Sequence, residues 1–163
     1  MKNLEELFNK EEMIEANSWF SSDEVLSNPR IALYNVMKDV QKLYEFKSVA
    51  LTDEVVEYAI NHGLTPSGDF RKNREVMKNY KLAYYLISLD SNLFEDVDLD
   101  IVTPELLDLA LDNGYDLNKN ERVFKNQNFL KVLIEKDSKY LNLVKDEYIT
   151  PELIELACKN NHR

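Results

Sequence analysis

The sequence predicts an all-α protein: a short α-solenoid of three tandem helical repeats with an N-terminal capping helix. Two separate segments recur three times at identical offsets, and both carry the apolar spacing of amphipathic helices. The chain also has only three glycines and four prolines, too few for the turns of an all-β fold. The predicted repeats span residues 17–67, 68–114 and 115–163, within one continuous domain.

Residues 1–16 precede the first repeat and read MKNLEELFNKEEMIEA. This acidic, amphipathic stretch predicts a capping helix that turns Leu4, Leu7 and Phe8 toward the first repeat, with Trp19 and Phe20 closing the junction. It lacks the basic start and the apolar stretch of a secretory signal peptide.

The first recurring segment begins at an asparagine and predicts the first long helix of each repeat. Its copies are NPRIALYNVMKD, NYKLAYYLISLD and NQNFLKVLIEKD, which start 51 and 47 residues apart at Asn28, Asn79 and Asn126. Asparagine is a favoured N-cap residue, and an aspartate ends each copy. The preceding DEVLSN, REVMKN and ERVFKN predict a helix of one or two turns.

The second recurring segment begins at a threonine and predicts the second long helix. Its copies are TDEVVEYAINHG, TPELLDLALDNG and TPELIELACKNN, starting at Thr52, Thr103 and Thr150 with the same offsets. A threonine N-cap, proline at the first helical position and apolar residues at i, i+1, i+4 and i+5 all favour a helix with one buried face. Gly63, Gly114 and Asn161 are expected to end the three copies.

The TPELLDLALDNG segment resembles the TPLHLA…G signature of ankyrin repeats. The resemblance covers twelve residues per copy, and the period exceeds the ~33 residues of an ankyrin repeat. It therefore implies a generic helical repeat without a named family. Such a unit cannot bury its apolar face alone, so neighbouring repeats are expected to stack on it.

The net charge of −10 argues against direct nucleic-acid binding, which needs clustered Lys and Arg. Nine acidic residues and no Lys or Arg lie within residues 82–118, so the rest of the chain sums to −1. No apolar run is long enough to cross a membrane. The single cysteine suits a reducing cytoplasm, and abundant Asn, Lys, Ile and Glu suggest the AT-rich genome of a low-GC bacterium or its phage.

The sequence predicts no catalytic residues, no cofactor and no metal site. Cys158 aligns with Ile60 and Leu111 and is therefore interpreted as a small core residue, and His62 aligns with two asparagines. Two short acidic strings, DVDLD from Asp96 and DLNKN from Asp116, lack the glycine and the final glutamate of an EF-hand, and we interpret them as solvated loops.

Acidic residues at equivalent positions of the second long helices predict a candidate interaction surface, to which the acidic window contributes further members. We call the following eleven residues the acidic surface: Glu54, Glu57, Glu95, Asp96, Asp98, Asp100, Glu105, Asp108, Asp112, Glu152 and Glu155. Of the neighbouring tyrosines, Tyr85 is assigned to the core, and the core is also favoured for Tyr84.

The leading functional prediction is a non-enzymatic protein–protein interaction module, a scaffold or adaptor whose partner is a protein. A basic partner would complement the acidic surface. The alternative is an acidic inhibitor or nucleic-acid mimic, phage-encoded, that blocks a basic site on a host protein. An enzyme ranks third. The sequence gives no oligomeric state.

Overall fold

The structure is a computed structural model that describes residues 3–17 and 22–161. Every secondary-structure element in these residues is an α-helix or a 3₁₀ helix, which confirms the predicted all-α class. Trp19 and Phe20, predicted to close the first junction, lie outside the described residues. The chain divides into two compact units, Met1–Leu89 and Asp90–Arg163.

The first unit contains seven α-helices and two 3₁₀ helices among its described residues. The α-helices are α1 (Leu4–Leu7), α2 (Lys10–Asn17), α3 (Asp23–Leu26), α4 (Pro29–Lys38), α5 (Asp53–Asn61), α6 (Phe70–Val76) and α7 (Tyr80–Leu89). The 3₁₀ helices are Val40–Glu45 and Ser48–Ala50.

The second unit contains four α-helices and five 3₁₀ helices among its described residues. The α-helices are α8 (Pro104–Asp112), α9 (Glu121–Phe124), α10 (Gln127–Lys136) and α11 (Pro151–Asn161). The 3₁₀ helices are Ser91–Asp96, Leu99–Ile101, Leu117–Lys119, Ser138–Leu143 and Asp146–Tyr148.

The same order of elements occurs three times along the chain. The first long helices α4, α7 and α10 begin at residues 29, 80 and 127, and the second long helices α5, α8 and α11 begin at residues 53, 104 and 151. Two 3₁₀ helices lie between each pair and start at residues 40, 91 and 138 and at residues 48, 99 and 146. All four series show the offsets of 51 and 47 residues found in the sequence.

Asparagine caps the first long helix in all three copies, as predicted. The side-chain oxygens of Asn28, Asn79 and Asn126 accept hydrogen bonds from backbone N–H groups in the first turn, which would otherwise lack partners. The aspartates that end these helices have a second role. The carboxylates of Asp39, Asp90 and Asp137 each accept a hydrogen bond from the N–H two residues ahead and thereby cap the following 3₁₀ helix.

The second long helices begin and end with the predicted residues, apart from two local differences. Thr103 and Thr150 cap through their hydroxyls, whereas Thr52 occupies the N-cap without a side-chain hydrogen bond. Gly63 and Gly114 follow α5 and α8 with φ of 80° and 90°, in the left-handed region that glycine adopts without strain. Asn161 is the last residue of α11 that the structure describes and is itself helical, whereas Gly63 and Gly114 follow their helices.

The N-terminal segment forms two helices instead of the single predicted one. The break lies at Phe8 and Asn9, because Asn3 and Asn9 each form a capping box with the glutamate three residues ahead. The N-x-x-E spacing of these two boxes is visible in the sequence, so the break was predictable from it. Phe8 lies in extended backbone between the helices, is buried, and packs edge-on against Tyr34.

Each unit has its own apolar core. In the first unit α4 packs on α5, and α5 packs on α7, the first long helix of the following repeat. In the second unit α10 packs on α11, and α8 packs on α10, again the first long helix of the following repeat. The contact between a second long helix and the next first long helix is called the junction below. It occurs once in each unit.

Candidate interaction surface

Two members of the acidic surface form ion pairs across a junction. Glu57 of α5 lies 3.2 Å from the Nζ atom of Lys81 on α7, and Asp53 also pairs with this lysine. Hydrogen bonds from Lys81 to these carboxylates, Glu57 first, raise the pKa of Lys81. Asp108, the equivalent of Glu57 on α8, pairs with Lys136 on α10. In both units, a carboxylate of the second long helix therefore meets a lysine of the next first long helix.

The N-terminal helix α2 makes a contact of the same kind with α4 in the first unit. Arg30 of α4 occupies the position equivalent to Lys81, and its Nε atom lies 2.9 Å from Oε2 of Glu12 on α2. The hydrogen bond from Arg30 lowers the pKa of Glu12. The Arg30 guanidinium also lies 4.4 Å from the ring centroid of Phe8, a cation–π distance. Helix α2 thus contacts α4 through the residue that is equivalent to Lys81 of α7.

Glu155 on α11 is the equivalent of Glu57 and Asp108, but it pairs within its own helix. Its carboxylate lies 3.2 Å from Lys159, and both side chains are largely exposed. Of the acids in the first turn, Glu54 and Glu105 are exposed and pair with no residue that the structure describes, while Glu152 pairs with Lys131 of α10 at 2.9 Å. Acidic residues at equivalent positions of the three second long helices therefore differ in their ion-pair partners.

The remaining members of the acidic surface belong to the second unit. The Asp98 carboxylate accepts a hydrogen bond from the N–H of Asp100 and caps the 3₁₀ helix Leu99–Ile101. Glu95, Asp100 and Asp112 are exposed, whereas Asp96 is half-buried. Outside the acidic surface, Asp116 caps Leu117–Lys119 in the way that Asp98 caps its helix. Asp98 and Asp116 thus stabilise local turns of the chain.

In the second and third repeats, the short helix before the first long helix contacts the preceding repeat. The Glu75 carboxylate accepts a hydrogen bond from the backbone N–H of Ser48 at 2.8 Å, and this bond is the main cause that lowers the pKa of Glu75. Arg122 occupies the position equivalent to Glu75, at the same offset of 47 residues. It donates to the backbone carbonyls of Glu95 and Val97 at 2.6 and 3.0 Å. Opposite charges thus perform the same task in the two units.

One apolar register changes its environment in the third repeat. Val56 and Leu107, each four residues after the N-cap threonine of their helix, are completely buried. Ile154 occupies this position on α11 and is 49% exposed. Cys158, one turn further along α11, is exposed as well. The prediction of a core cysteine was wrong because the outer side of α11 is not covered within the described chain.

The tyrosines divide between core and surface. Tyr44 is buried and Tyr85 is half-buried. Tyr44 donates a hydrogen bond to the backbone carbonyl of Thr65 and Tyr85 one to that of Leu64, both at 2.8 Å, and these bonds fix the loop after α5. Burial raises the pKa of Tyr44. Tyr84, for which the core was favoured, is 43% exposed and stands 6.2 Å from the ring of Tyr80 on the same face of α7.

Two shallow depressions lie on the second unit. One of about 390 Å³ lies between the end of α10 and the end of α11, beside Glu135, Ser138 and Asn160. The other, of about 240 Å³, includes Lys131, Glu152 and Glu155. Both are lined mainly by exposed polar and charged side chains. Their linings differ from the apolar, partly enclosed pockets that usually hold small ligands.

Within residues 3–17 and 22–161, no three His, Cys, Asp or Glu side chains are grouped so that they could hold a metal ion. No helix among these residues is both long and apolar enough to span a bilayer. No protein-family model, curated protein or solved structure matches the chain.

Proposed function

We propose that this chain is a non-enzymatic protein–protein interaction module of the cytoplasm, in which three repeats stack in line as a short α-solenoid and α1 and α2 form the N-terminal cap. The support for stacking is that in both units the second long helix packs on the next first long helix. The register-equivalent carboxylates Glu57 and Asp108 both meet a lysine there, Lys81 near the start of α7 and Lys136 at the end of α10. Helix α2, which pairs with α4 through Glu12 and Arg30, supports the cap. Stacked repeats offer extended binding surfaces.

The observation that carries the proposal is the exposure of Ile154, at a register position that is buried in Val56 and Leu107. A large aliphatic side chain that is half exposed gains less free energy from burial than its fully buried equivalents do. A partner that covers this side of α11 recovers that free energy on binding. Tyr80 and Tyr84 offer aromatic area on the first unit, and tyrosine is enriched at the energetic centres of protein interfaces.

The test is affinity capture from the native host, followed by cross-linking of the captured protein to the full chain. The bait is compared with an Ile154→Asp variant and with Ile14→Asp, a control at an exposed isoleucine of α2. We expect the unchanged chain and the Ile14→Asp variant to capture the same specific partner. The Ile154→Asp variant, or a variant changed at Tyr84, should no longer capture it. Capture of no partner by any of the baits, at both low and high salt, would reject the proposal.

A second candidate function is an acidic inhibitor that blocks a basic site on another protein. The specific observation in its favour is that Glu95, Asp100, Glu105 and Asp112 are exposed in the second unit and pair with no described residue through their carboxylates. Binding through these charges weakens steeply with salt, because exposed charges are screened over about 10 Å at 0.1 M ionic strength. If capture persists at high salt, on the order of 1 M NaCl, and survives reversal of these four residues to lysine, this alternative fails.

A further inference from the structure

At three positions of the third repeat, the side chain is less buried than the equivalent side chains of the first and second repeats. Besides Ile154, Ile149 is half-buried where Leu51 and Val102 are buried. The third position behaves in the same way. Leu43 and Phe94 are buried there in the first and second repeats, whereas Leu141 of the third repeat is half-buried. The three side chains that change are all aliphatic. We call Leu141, Ile149 and Ile154 the open face.

The two junctions show what kind of element covers a second long helix. In the first unit α7 packs on α5, and in the second unit α10 packs on α8. Both covering helices begin with an asparagine cap and bury residues at i, i+1, i+4 and i+5. These residues are Leu82, Ala83, Leu86 and Ile87 in α7, and Phe129, Leu130, Leu133 and Ile134 in α10.

The charges at the junctions add a second requirement. Glu57 and Asp108 each meet a lysine from the covering helix. Glu155 holds the same position on α11 and pairs with the exposed Lys159 of its own helix. A covering helix with a lysine or arginine at its edge would supply the cation that the other two junctions have. Such a pair selects a partner and its register more than it adds affinity.

We propose that the open face binds an amphipathic helix of another protein that has the chemistry of α7 and α10. The partner helix presents an apolar stripe with i, i+1, i+4, i+5 spacing to Ile149 and Ile154, and a basic side chain to Glu155. This inference rests on the proposed function and names the class of partner. It is a helix-in-groove contact in which one more helix continues the packing of the repeats.

The probe is a peptide with residues 120–137 of this chain, made in a plain form and in a form stapled as a helix on its solvent face. An isolated helix of this length is marginal in water, and the stapled form removes that cost. The full chain is labelled at Cys158, its single cysteine, which is exposed one turn from Ile154. Docking on the open face is expected to shift the emission of an environment-sensitive dye there.

We expect saturable binding that Ile154→Asp weakens by about tenfold or more, because it places a charge against the apolar stripe. Ile14→Asp, at an isoleucine that is 67% exposed on α2, is expected to leave binding unchanged. A charge exchange tests the ion pair. The Glu155→Lys variant should bind the unchanged peptide more weakly, and it should bind a peptide with Lys136→Glu more tightly than the unchanged chain does.

Failure of both peptide forms to bind, or binding that ignores Ile154→Asp, overturns the inference. Sedimentation that shows the unlabelled chain pairing with itself through Ile154 also overturns it, since the occupant is then a second copy. The proposed function is judged separately by capture from the host. A partner captured in an Ile154-dependent manner, with no peptide binding, leaves the interaction module standing and rejects only the helical partner.

Discussion

The Glu75 carboxylate lies 2.8 Å from the backbone nitrogen of Ser48 and accepts its hydrogen bond. This contact ties the short helix α6 of the second repeat to the 3₁₀ helix Ser48–Ala50 of the first. A carboxylate that accepts a backbone hydrogen bond is favoured in its charged form, so the pKa of Glu75 is lowered from its ordinary value of 4.5. The folded state therefore holds the ionised group more tightly than the unfolded state does.

The first prediction concerns the pH dependence of this contact. Because the pKa is lower in the folded state, the stabilisation is fully present above about pH 4.5 and is lost as the pH falls through the folded pKa. We expect Glu75→Gln to reduce the free energy of unfolding by about 1 kcal/mol near neutral pH, and by progressively less as the pH falls below about 4.5. Urea denaturation followed by circular dichroism at several pH values measures the difference.

The control is Glu24→Gln, at the equivalent position of α3, where the exposed carboxylate has no described partner. Its effect is expected to stay within about 0.5 kcal/mol at every pH. A Glu75→Gln effect that does not change with pH would contradict the assignment of the stabilisation to the charged carboxylate.

The second prediction compares the loss of stability when two equivalent residues, the buried Leu107 and the exposed Ile154, are each changed to alanine. Leu107→Ala removes a completely buried side chain and is expected to cost about 2–5 kcal/mol. Ile154→Ala, at a half-exposed site, is expected to cost less than about 1.5 kcal/mol, because water already reaches part of the side chain. Thermal and urea unfolding of both variants test the difference, and equal losses would show that Ile154 is covered in solution.

The third prediction concerns the left-handed glycine after α8. Gly114 has φ of 90°, and the N–H of Tyr115 bonds back to the carbonyl of Ala110 at 2.9 Å, which is the Schellman pattern. Gly114→Ala forces a side chain into this backbone conformation and should cost about 1–2 kcal/mol. The control is Gly68→Ala, at a glycine without positive φ and with open space where the added methyl group would lie. It should be neutral or slightly stabilising. Urea unfolding of both variants measures the difference.

The fourth prediction tests the asparagine cap of α10. The Asn126 side chain accepts a hydrogen bond from the N–H of Phe129 at 2.9 Å, so Asn126→Ala is expected to lower the free energy of unfolding by about 1 kcal/mol. Asn128→Ala changes an exposed position two residues further on, where alanine has the higher helix propensity. It should not destabilise the protein. Equal loss of stability in both variants, measured by thermal unfolding, would show that the cap is not the cause.

The local features of the fold were largely predictable from the sequence. Asparagine caps, glycine ends and apolar spacing act over a few residues, so the bounds of the long helices follow from short stretches of chain. The apolar pattern alone does not reveal the break at Phe8, because the two N-x-x-E capping boxes cause it. The role of the register-equivalent aspartates as 3₁₀ caps was also missed.

The candidate surface could not be read in the same way, because the surroundings of a side chain depend on helices distant in sequence. Glu57, Asp108 and Glu155 are equivalent in register, yet two of them meet a lysine from the next repeat and the third meets its own helix. Alignment with apolar residues assigned Cys158 to the core and favoured the core for Tyr84, but a register position is buried only where a neighbour covers it.

The sequence by itself determined the all-α class, the position of nearly every long helix and the threefold recurrence of elements, because hydrogen-bond capping and helical periodicity are encoded within each segment. Only the tertiary structure decided which carboxylates pair, which tyrosines are buried and which apolar positions remain exposed. Burial and charge pairing are properties of two elements in contact, and one strip of sequence, however regular, specifies only one side of that contact.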